Sequence, residues 1–198
     1  MKNLFRLYLL FIFFLSCKSN VEEKETYEII SLITQEYGLP LPPVPPPPPA
    51  KLPSLKEMGW DSIKKLKQDI AVYPILKNNN KALSDFSELK DIEFKTFFEK
   101  IKKNKKVLRL DLSKFNVKKQ FQLSIIDTSL LKKDKYYVDK NFDKLLTFQN
   151  ISFNNEFNKA IIIIGVSIGP LNGYSSLVFL EKKNGNWTIK NSKTISIS

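Results

Sequence analysis

The fold is decided by residues 160–190, AIIIIGVSIGPLNGYSSLVFLEKKNGNWTIK. Four consecutive isoleucines predict a central strand from Ala160 to Ile168 that is covered on both faces. A second strand is predicted from Ser175 to Glu181. Asn184-Gly185 is the dipeptide of a tight hairpin turn, so Trp187 to Lys190 is predicted to pair back on the second strand.

The flanking sequence extends this pattern into a larger sheet. Thr147 to Phe153 alternates apolar residues, with a phase slip before Ile151, and Asn154 to Asn158 reads as a turn. Ser192 to Ser198 adds a further edge segment. Together these segments predict a β-meander of four antiparallel strands.

The segment from Asp91 to Lys103 carries the clearest amphipathic helix pattern, with phenylalanines and isoleucine at helical spacing. We expect this helix to back the sheet. The predicted fold class is therefore α+β: a C-terminal antiparallel β-meander backed by one or two amphipathic helices, on a polyproline tether.

Weaker signals precede the meander. Val107 to Leu112 and Gln120 to Ile126 are strand candidates, and Leu130 to Leu146 is predicted to mix helix and loop. The apolar run from Ile70 to Leu76 contains Pro74, which cannot donate to a sheet ladder. Any strand there is therefore predicted to be an edge strand.

The N-terminus reads as a secretory signal. A basic start is followed by an apolar run of nine residues, 7–15, then by Ser16 and Cys17, the only cysteine of the chain. A membrane-spanning helix needs about 20 apolar residues, so this run is too short to be one. Residues 1–16 are therefore predicted to be a signal peptide, and an incidental cysteine after a plain secretory signal is the alternative to a lipidated one.

Phe14-Leu15-Ser16-Cys17 resembles a lipobox, with leucine one position closer to the cysteine than in the commonest pattern, as in the looser lipoboxes of Bacteroidota or spirochaetes. The resemblance implies a bacterial lipoprotein that is cleaved before Cys17 and carries palmitate-type acyl chains there. Lys18 is not the aspartate that marks inner-membrane retention, so the outer membrane is favoured. The acidic tract Glu22 to Glu25 resembles those of surface-exported lipoproteins, but acidic residues also open helices. Whether the protein faces the periplasm or the outside stays open.

The C-terminal quarter carries a second resemblance. Ile168 to Gly173, followed by Leu180 to Trp187, resembles the ending of small uncharacterised Bacteroidota lipoproteins. This resemblance covers about 40 residues of turns and strands. It implies an envelope-anchored protein and no particular activity.

Residues 17–50 are predicted to be a lipidated N-terminus with a short helix and a proline-rich tether. The helix, Glu22 to Tyr37, has an apolar stripe and is ended by Gly38. The five prolines at 45–49 favour polyproline II, which makes a spacer. A docking site for a proline-recognising domain and packing of the prolines on the body are the alternatives. Residues 51–198 are predicted to be one basic α+β domain.

The N-terminal part and the body of the chain differ in net charge. Residues 18–50 carry a net charge of −3, whereas residues 51–198 carry 28 basic and 15 acidic side chains, a net charge of +13. Such a body favours anionic envelope partners, such as lipopolysaccharide, an acidic glycan or phospholipid headgroups. The alternative is a lysine-rich composition without a binding role, since Arg109 is the body's only arginine. No nucleic-acid partner and no cofactor is expected.

Catalytic signals are weak. The chain has no histidine, and its one cysteine is assigned to the lipid. A Ser-x-x-Lys string at Ser62 to Lys65 and an anion-binding role for the loop Gly169 to Gly173 are both disfavoured. The acidic candidates for catalysis or calcium binding are Asp127, Asp134, Asp139, Asp143, Glu156 and Glu181, with Asn141 as a further calcium ligand. None lies in a recognisable motif, and lysines surround the calcium candidates.

Two hypotheses follow. The favoured one is a membrane-anchored envelope lipoprotein that acts as a non-catalytic binding or structural module, with phenotypes that depend on tether length. The alternative is a carboxylate-dependent hydrolase or glycan-acting enzyme of the envelope. The alternative predicts two carboxyl groups, one with a raised pKa, facing one cleft at about 5 to 9 Å.

Overall fold

A computed structural model describes residues 21–40, 59–77, 97, 99, 100 and 107–197. The predicted signal peptide, Cys17, the prolines at 45–49 and nearly all of the predicted helix at 91–103 lie outside the described residues. The fold is mixed α+β with a C-terminal antiparallel meander, as the sequence predicts.

Outside the meander and the first helix, the described elements are short. The helices are α1 (residues 21–37), α2 (Trp60–Ile63), α3 (Thr128–Lys133) and α4 (Tyr137–Asn141), with a 3-10 turn at Leu112–Lys114. The strands are β1 (Gln68–Val72), β2 (Ile75–Lys77), β3 (Val107–Arg109), β4 (Phe121–Ile125), β5 (Lys144–Phe153), β6 (Lys159–Gly169), β7 (Asn172–Lys183) and β8 (Asn186–Ile197).

All eight strands form one sheet. Its main path runs β3-β2-β5-β6-β7-β8, and β5 through β8 pair antiparallel with their neighbours in sequence. On the other side of β5 the sheet is partly parallel, because β1 pairs parallel with both β4 and β5. The meander is therefore extended by a small parallel part that the sequence pattern did not predict.

The predicted meander is confirmed in detail. The phase slip in β5 is a bulge between Gln149 and Ser152. Asn184 and Gly185 both have positive φ, 51° and 81°, as a two-residue hairpin turn of this type requires. The segments on either side of Asn191 are one continuous strand, β8, which stays paired with β7 through register shifts.

The prediction of an edge strand around Pro74 is wrong. Pro74 lies in the break between β1 and β2, so its missing N–H interrupts neither ladder. Its carbonyl accepts a hydrogen bond from the backbone N–H of Leu110 at 2.9 Å. β1 is consequently free to lie between β4 and β5, where Ile70 is fully buried.

Helix α1 forms part of the core. Ile29, Ile30 and Ile33 are completely buried against the sheet, in one cluster with residues such as Phe148 and Ile162. The helix predicted at 22–37 is thus confirmed, but it packs into the body. Residues before position 51 therefore supply one wall of the core that the structure describes.

The sheet is covered on both faces. Ile70 and Val72 of β1 contact the cluster that includes α1, whereas Ala71 between them packs with Val138 of α4 on the opposite face. Since strand side chains alternate between faces, α1 and α4 lie on opposite sides of the sheet. All four isoleucines at 161–164 are buried, as expected for a strand covered on both sides.

Candidate functional site: an aromatic groove beside helix α1

The C-terminal half of α1 and the strands β7 and β8 leave an open groove of about 710 Å³ between them. We call it the aromatic groove. Its lining is mainly apolar and aromatic, with a few hydroxyls and one carboxylate, a composition typical of sites for small ligands. The lining residues are Leu32, Glu36, Tyr37, Leu39, Pro40, Tyr174, Trp187, Thr188, Ile189 and Ser192.

Two tyrosines define the chemistry of the groove. Tyr37 and Tyr174 are half-buried, and burial raises the pKa of both phenols above the ordinary value of 10.0. The hydroxyl of Tyr37 is also hydrogen-bonded with the side chains of Ser192 and Ser176, which partly opposes that rise. Both rings therefore stay neutral at physiological pH, and they present flat apolar faces beside hydroxyl groups.

A buried polar cluster holds Trp187 in place at the edge of the groove. The carboxylate of Glu25, on α1, accepts a hydrogen bond from Trp187 Nε1 at 2.6 Å. The Nζ atom of Lys182 lies 2.6 Å from each carboxylate oxygen of Glu25 and 5.3 Å from the centre of the indole ring. Glu25 and Trp187 are 6% and 7% exposed, so these contacts are shielded from water. The cluster fixes α1 to the β7–β8 hairpin.

Lys144 caps the C-terminal end of α1. It is 3% exposed, and its ammonium donates to the carbonyl of Leu39 and lies 3.3 Å from the carbonyl of Tyr37. Burial lowers the pKa of Lys144 to about 8, with the charge of Asp143 opposing the shift in part. A cation at a helix C-terminus is favourable, and this one bonds carbonyls that the helix leaves without internal partners. Lys144 thus positions the segment that leads into the groove.

The structure uses several of the predicted acidic candidates as local caps and pairs. Asp127 accepts from the backbone N–H groups of Ser129 and Leu130 at the start of α3. Asp134 pairs with Lys140 at 2.7 Å. Hydrogen bonds to Ser129 and to Lys140, respectively, lower the pKa of these two carboxyls, the opposite of what a general acid needs.

Three further candidates also make local hydrogen bonds. Asp143 accepts from the backbone N–H of Asp69 at 2.7 Å, the side-chain amide of Asn141 donates to the carbonyl of Tyr137, and Glu156 accepts from Asn154 in the β5–β6 turn. Within the described ranges, no group of three or more acidic or cysteine side chains is placed to hold a metal ion.

The two other predicted motifs have local structural roles. Ser62 lies in α2 and Lys65 in the turn that follows it, where the N–H of Lys65 donates to the carbonyl of Ser62. Both residues are exposed. Residues 170 and 171 form the β6–β7 turn, so the Gly169–Gly173 segment is a hairpin connection.

A second surface lies at that turn. Leu171 is 89% exposed, and it shares a shallow cavity with Lys135 and Tyr136. The ammonium of Lys135 lies 4.9 Å from the ring centre of Tyr136, which is 46% exposed. We define the lysine–tyrosine patch as Lys132, Lys133, Lys135, Tyr136 and Leu171.

Sequence reasoning missed the aromatic groove. The helical stripe already placed Tyr37 on the inner face of α1. Tyr174 and Ile189 are separated from it by more than 130 positions, and only the packing of α1 against the meander brings them together. In the sequence Lys144 is one of the lysines beside the calcium candidates, and no local pattern marks it as a buried residue that binds the end of α1.

The comparisons with known proteins add no relative. No family model matches this chain, no curated protein matches it and no solved structure matches its fold. No helix among the described residues is both long and apolar enough to cross a membrane.

Proposed function

We propose that this protein is a lipid-anchored lipoprotein of the cell envelope whose body binds a partner without catalysis. The anchor rests on the signal-like residues 1–16 and on Cys17. Two or three acyl chains at Cys17 would hold the protein permanently, since each buried CH₂ contributes about 0.8 kcal/mol. The outer membrane is the favoured location because Lys18 follows the cysteine.

The aromatic groove is the observation that supports a binding role. Its volume suits a small ligand or one or two units of a polymer. Both tyrosines are half-buried, and Tyr37 is also hydrogen-bonded with Ser176 and Ser192. Glu36 is the one carboxylate among the residues that line it. Hydrolysis by the usual mechanism needs a pair, so binding is favoured over hydrolysis here.

The lining chemistry fits an uncharged saccharide. Aromatic rings can contact the C–H face of a sugar ring, while Glu36, Thr188 and Ser192 offer acceptors and donors for its hydroxyl groups. Glu36 also opposes an anionic ligand at this place. We therefore assign the groove to a neutral glycan segment of the envelope, such as the amino-sugar backbone of peptidoglycan.

Calorimetric titration of the mature protein in detergent with soluble amino-sugar oligosaccharides tests this proposal. Tyr174→Ala should weaken binding tenfold or more, which corresponds to at least about 1.4 kcal/mol. Tyr136→Ala is the matched control, because its ring lies outside the groove, and it should bind like the wild type. Equal effects of both changes, or no binding at all, would refute the assignment. Shortened oligosaccharides after incubation would favour the hydrolase alternative.

An anionic envelope partner is a second candidate, and the lysine–tyrosine patch is the observation that favours it. Three lysines occur within four positions, and one of them, Lys135, shares a cavity with the exposed Tyr136 and Leu171. Replacing Lys132, Lys133 and Lys135 by glutamine should reduce binding to lipopolysaccharide, and 1 M salt should abolish it, since the screening length then falls to about 3 Å. Replacing Lys24, Lys65 and Lys190 is the control. Binding that survives 1 M salt would exclude this candidate.

A further inference from the structure

The packing of α1 limits how far the body can lie from the membrane. If Cys17 carries the lipid, as proposed above, only residues 18–20 separate it from the first described residue of α1, Val21. Four residue steps span at most about 14 Å, whatever their conformation. The proline run follows α1 in sequence, so it does not lie between the lipid and the body.

The N-terminal end of α1 lies beside two turns of the meander. Glu25 contacts Lys182 and Trp187, which flank the β7–β8 turn. Glu22 lines one cavity together with Asn154 and Asn155 of the β5–β6 turn. We call this side of the body, with these two turns and Val21, the anchor end.

The C-terminal end of α1 lies at the opposite end of the sheet. Tyr37 is hydrogen-bonded with Ser176 and Ser192, and it lines the aromatic groove together with Tyr174. The β6–β7 turn with Leu171 belongs to this side, because β7 begins at Asn172 there and ends at Lys183 beside the anchor end. Twelve residues of strand separate the two ends by about 36 Å.

The charge of α1 opposes an arrangement in which the body lies flat on this helix. Its solvent-facing side exposes Glu28 and Glu36, with Lys24 as the exposed cation near its start. Bilayer surfaces that carry anionic headgroups repel such a face. An upright body keeps Glu28 and Glu36 away from the headgroups and keeps the short connection to Cys17.

We propose that the anchor end rests on the headgroup layer of the bilayer, and that the β6–β7 turn and the adjoining opening of the aromatic groove point away from it. The lipid surface is thus the partner of the β5–β6 and β7–β8 turns. The Tyr37–Tyr174 end of the groove and the lysine–tyrosine patch are then presented to partners that approach from the aqueous side. The proline run does not set the reach of the body.

Thiol labelling of the full chain tests this orientation. The chain has one cysteine, and acylation of Cys17 removes its thiol, so Leu171→Cys and Asn186→Cys each leave a single reactive thiol in the lipidated protein. Both positions are exposed, and they lie at opposite ends of β7. Each protein is labelled with a fluorophore and reconstituted into vesicles of phosphatidylethanolamine and phosphatidylglycerol that contain an acceptor dye on the headgroups.

Energy transfer should be strong from position 186 and several-fold weaker from position 171. Equal transfer from both positions, or stronger transfer from 171, would overturn the orientation. The number of thiols labelled per chain distinguishes a wrong orientation from an absent lipid anchor. Two reactive thiols per chain would show that Cys17 is not acylated, whereas one thiol with the wrong transfer pattern refutes the orientation alone.

Two insertions of equal length make the matched controls. Ten Gly/Ser residues placed between Ser19 and Asn20 should reduce transfer from position 186, because they lengthen the connection to the lipid. The same ten residues placed between Pro47 and Pro48 should leave transfer unchanged. If the second insertion reduced energy transfer and the first left it unchanged, the proline run would be the spacer after all.

Discussion

Glu25 and Trp187 lie 162 positions apart in sequence, yet a carboxylate oxygen of Glu25 accepts the indole N–H of Trp187 at 2.6 Å. With Lys182 they form a buried cluster that joins the first described helix to the last hairpin. The contact explains how an acidic residue that reads as part of a solvated N-terminal tract becomes a component of the core.

Glu25→Ala should lower the free energy of unfolding by about 3 kcal/mol, because it leaves the ammonium of Lys182 and the indole N–H without their acceptor. Urea denaturation followed by tryptophan fluorescence measures the loss. Lys24→Ala removes only an exposed pair with Glu28 at 3.8 Å and should cost about 0.5 kcal/mol or less. Similar losses in both variants would show that the cluster is not stabilising.

Lys144 should make stability depend on pH. Its pKa of about 8 in the folded protein lies below the ordinary 10.5, so the unfolded chain binds more protons between these values. Stability should therefore rise with pH across this window, by about 2 kcal/mol from pH 7.5 to pH 9.5, and Lys144 should add almost no slope between about pH 6 and pH 7. Denaturation at a series of pH values checks this.

Lys144→Met should abolish the rise, while Lys133→Met, an exposed change, should retain it. The comparison is made below pH 10. Above that value the raised pKa values of Tyr37 and Tyr174 make stability fall as the pH rises, which opposes the effect of Lys144. The same slope in the Lys144→Met protein would assign the pH dependence to another group.

Gly38 and Gly59 should respond differently to alanine. A Cβ on Gly38 would lie 2.3 Å from the backbone oxygen of Thr34 and 2.8 Å from Ile70 Cδ1, so Gly38→Ala should cost about 2 to 3 kcal/mol by overpacking. Gly59 has φ +68° and no described atom within 4 Å of such a Cβ. Gly59→Ala should cost about 1 kcal/mol of backbone strain alone. Thermal unfolding of the two variants compares them, and a reversed order would contradict the packing at the end of α1.

Ile33→Ala should lower the free energy of unfolding by about 3 kcal/mol, because the side chain is fully buried between α1 and the sheet. Glu28→Ala, on the exposed side of the same helix, should change it by less than about 0.5 kcal/mol. Equal stabilities would mean that α1 is not part of the folded unit.

A fragment of residues 51–198 extends this test to the whole helix. It lacks Ile29, Ile30 and Ile33, and it should therefore lose its cooperative unfolding transition. A sharp transition at the stability of the full chain would restore residue 51 as the start of the body.

Local patterns predicted the meander well. The isoleucine run, the Asn-Gly turn and the phase slip before Ile151 each report on contacts between neighbours in sequence, and all three are present in the structure. Pro74 correctly indicated a break in a strand, but the inference that the strand lies at the edge of the sheet was wrong. A proline between two strands constrains neither ladder, and so β1 became an interior strand.

The candidate groove was not predictable in the same way. Its residues come from α1 and from two strands that follow more than 130 positions later, and no local pattern links Tyr37 to Tyr174. The helical stripe of α1 predicted that one face is buried, but amphipathicity does not name the surface that buries it.

The α+β class, the order of the four meander strands and the existence of α1 could be predicted from the sequence, because each depends on periodicity, turn chemistry or composition within a short window. Three relationships became visible only in the folded chain: α1 is a wall of the core, Glu25 and Lys144 fix its two ends, and an aromatic groove opens beside it. Those relationships arise from the burial of apolar surface between segments far apart in the chain, and the free energy of that burial does not depend on their separation in sequence.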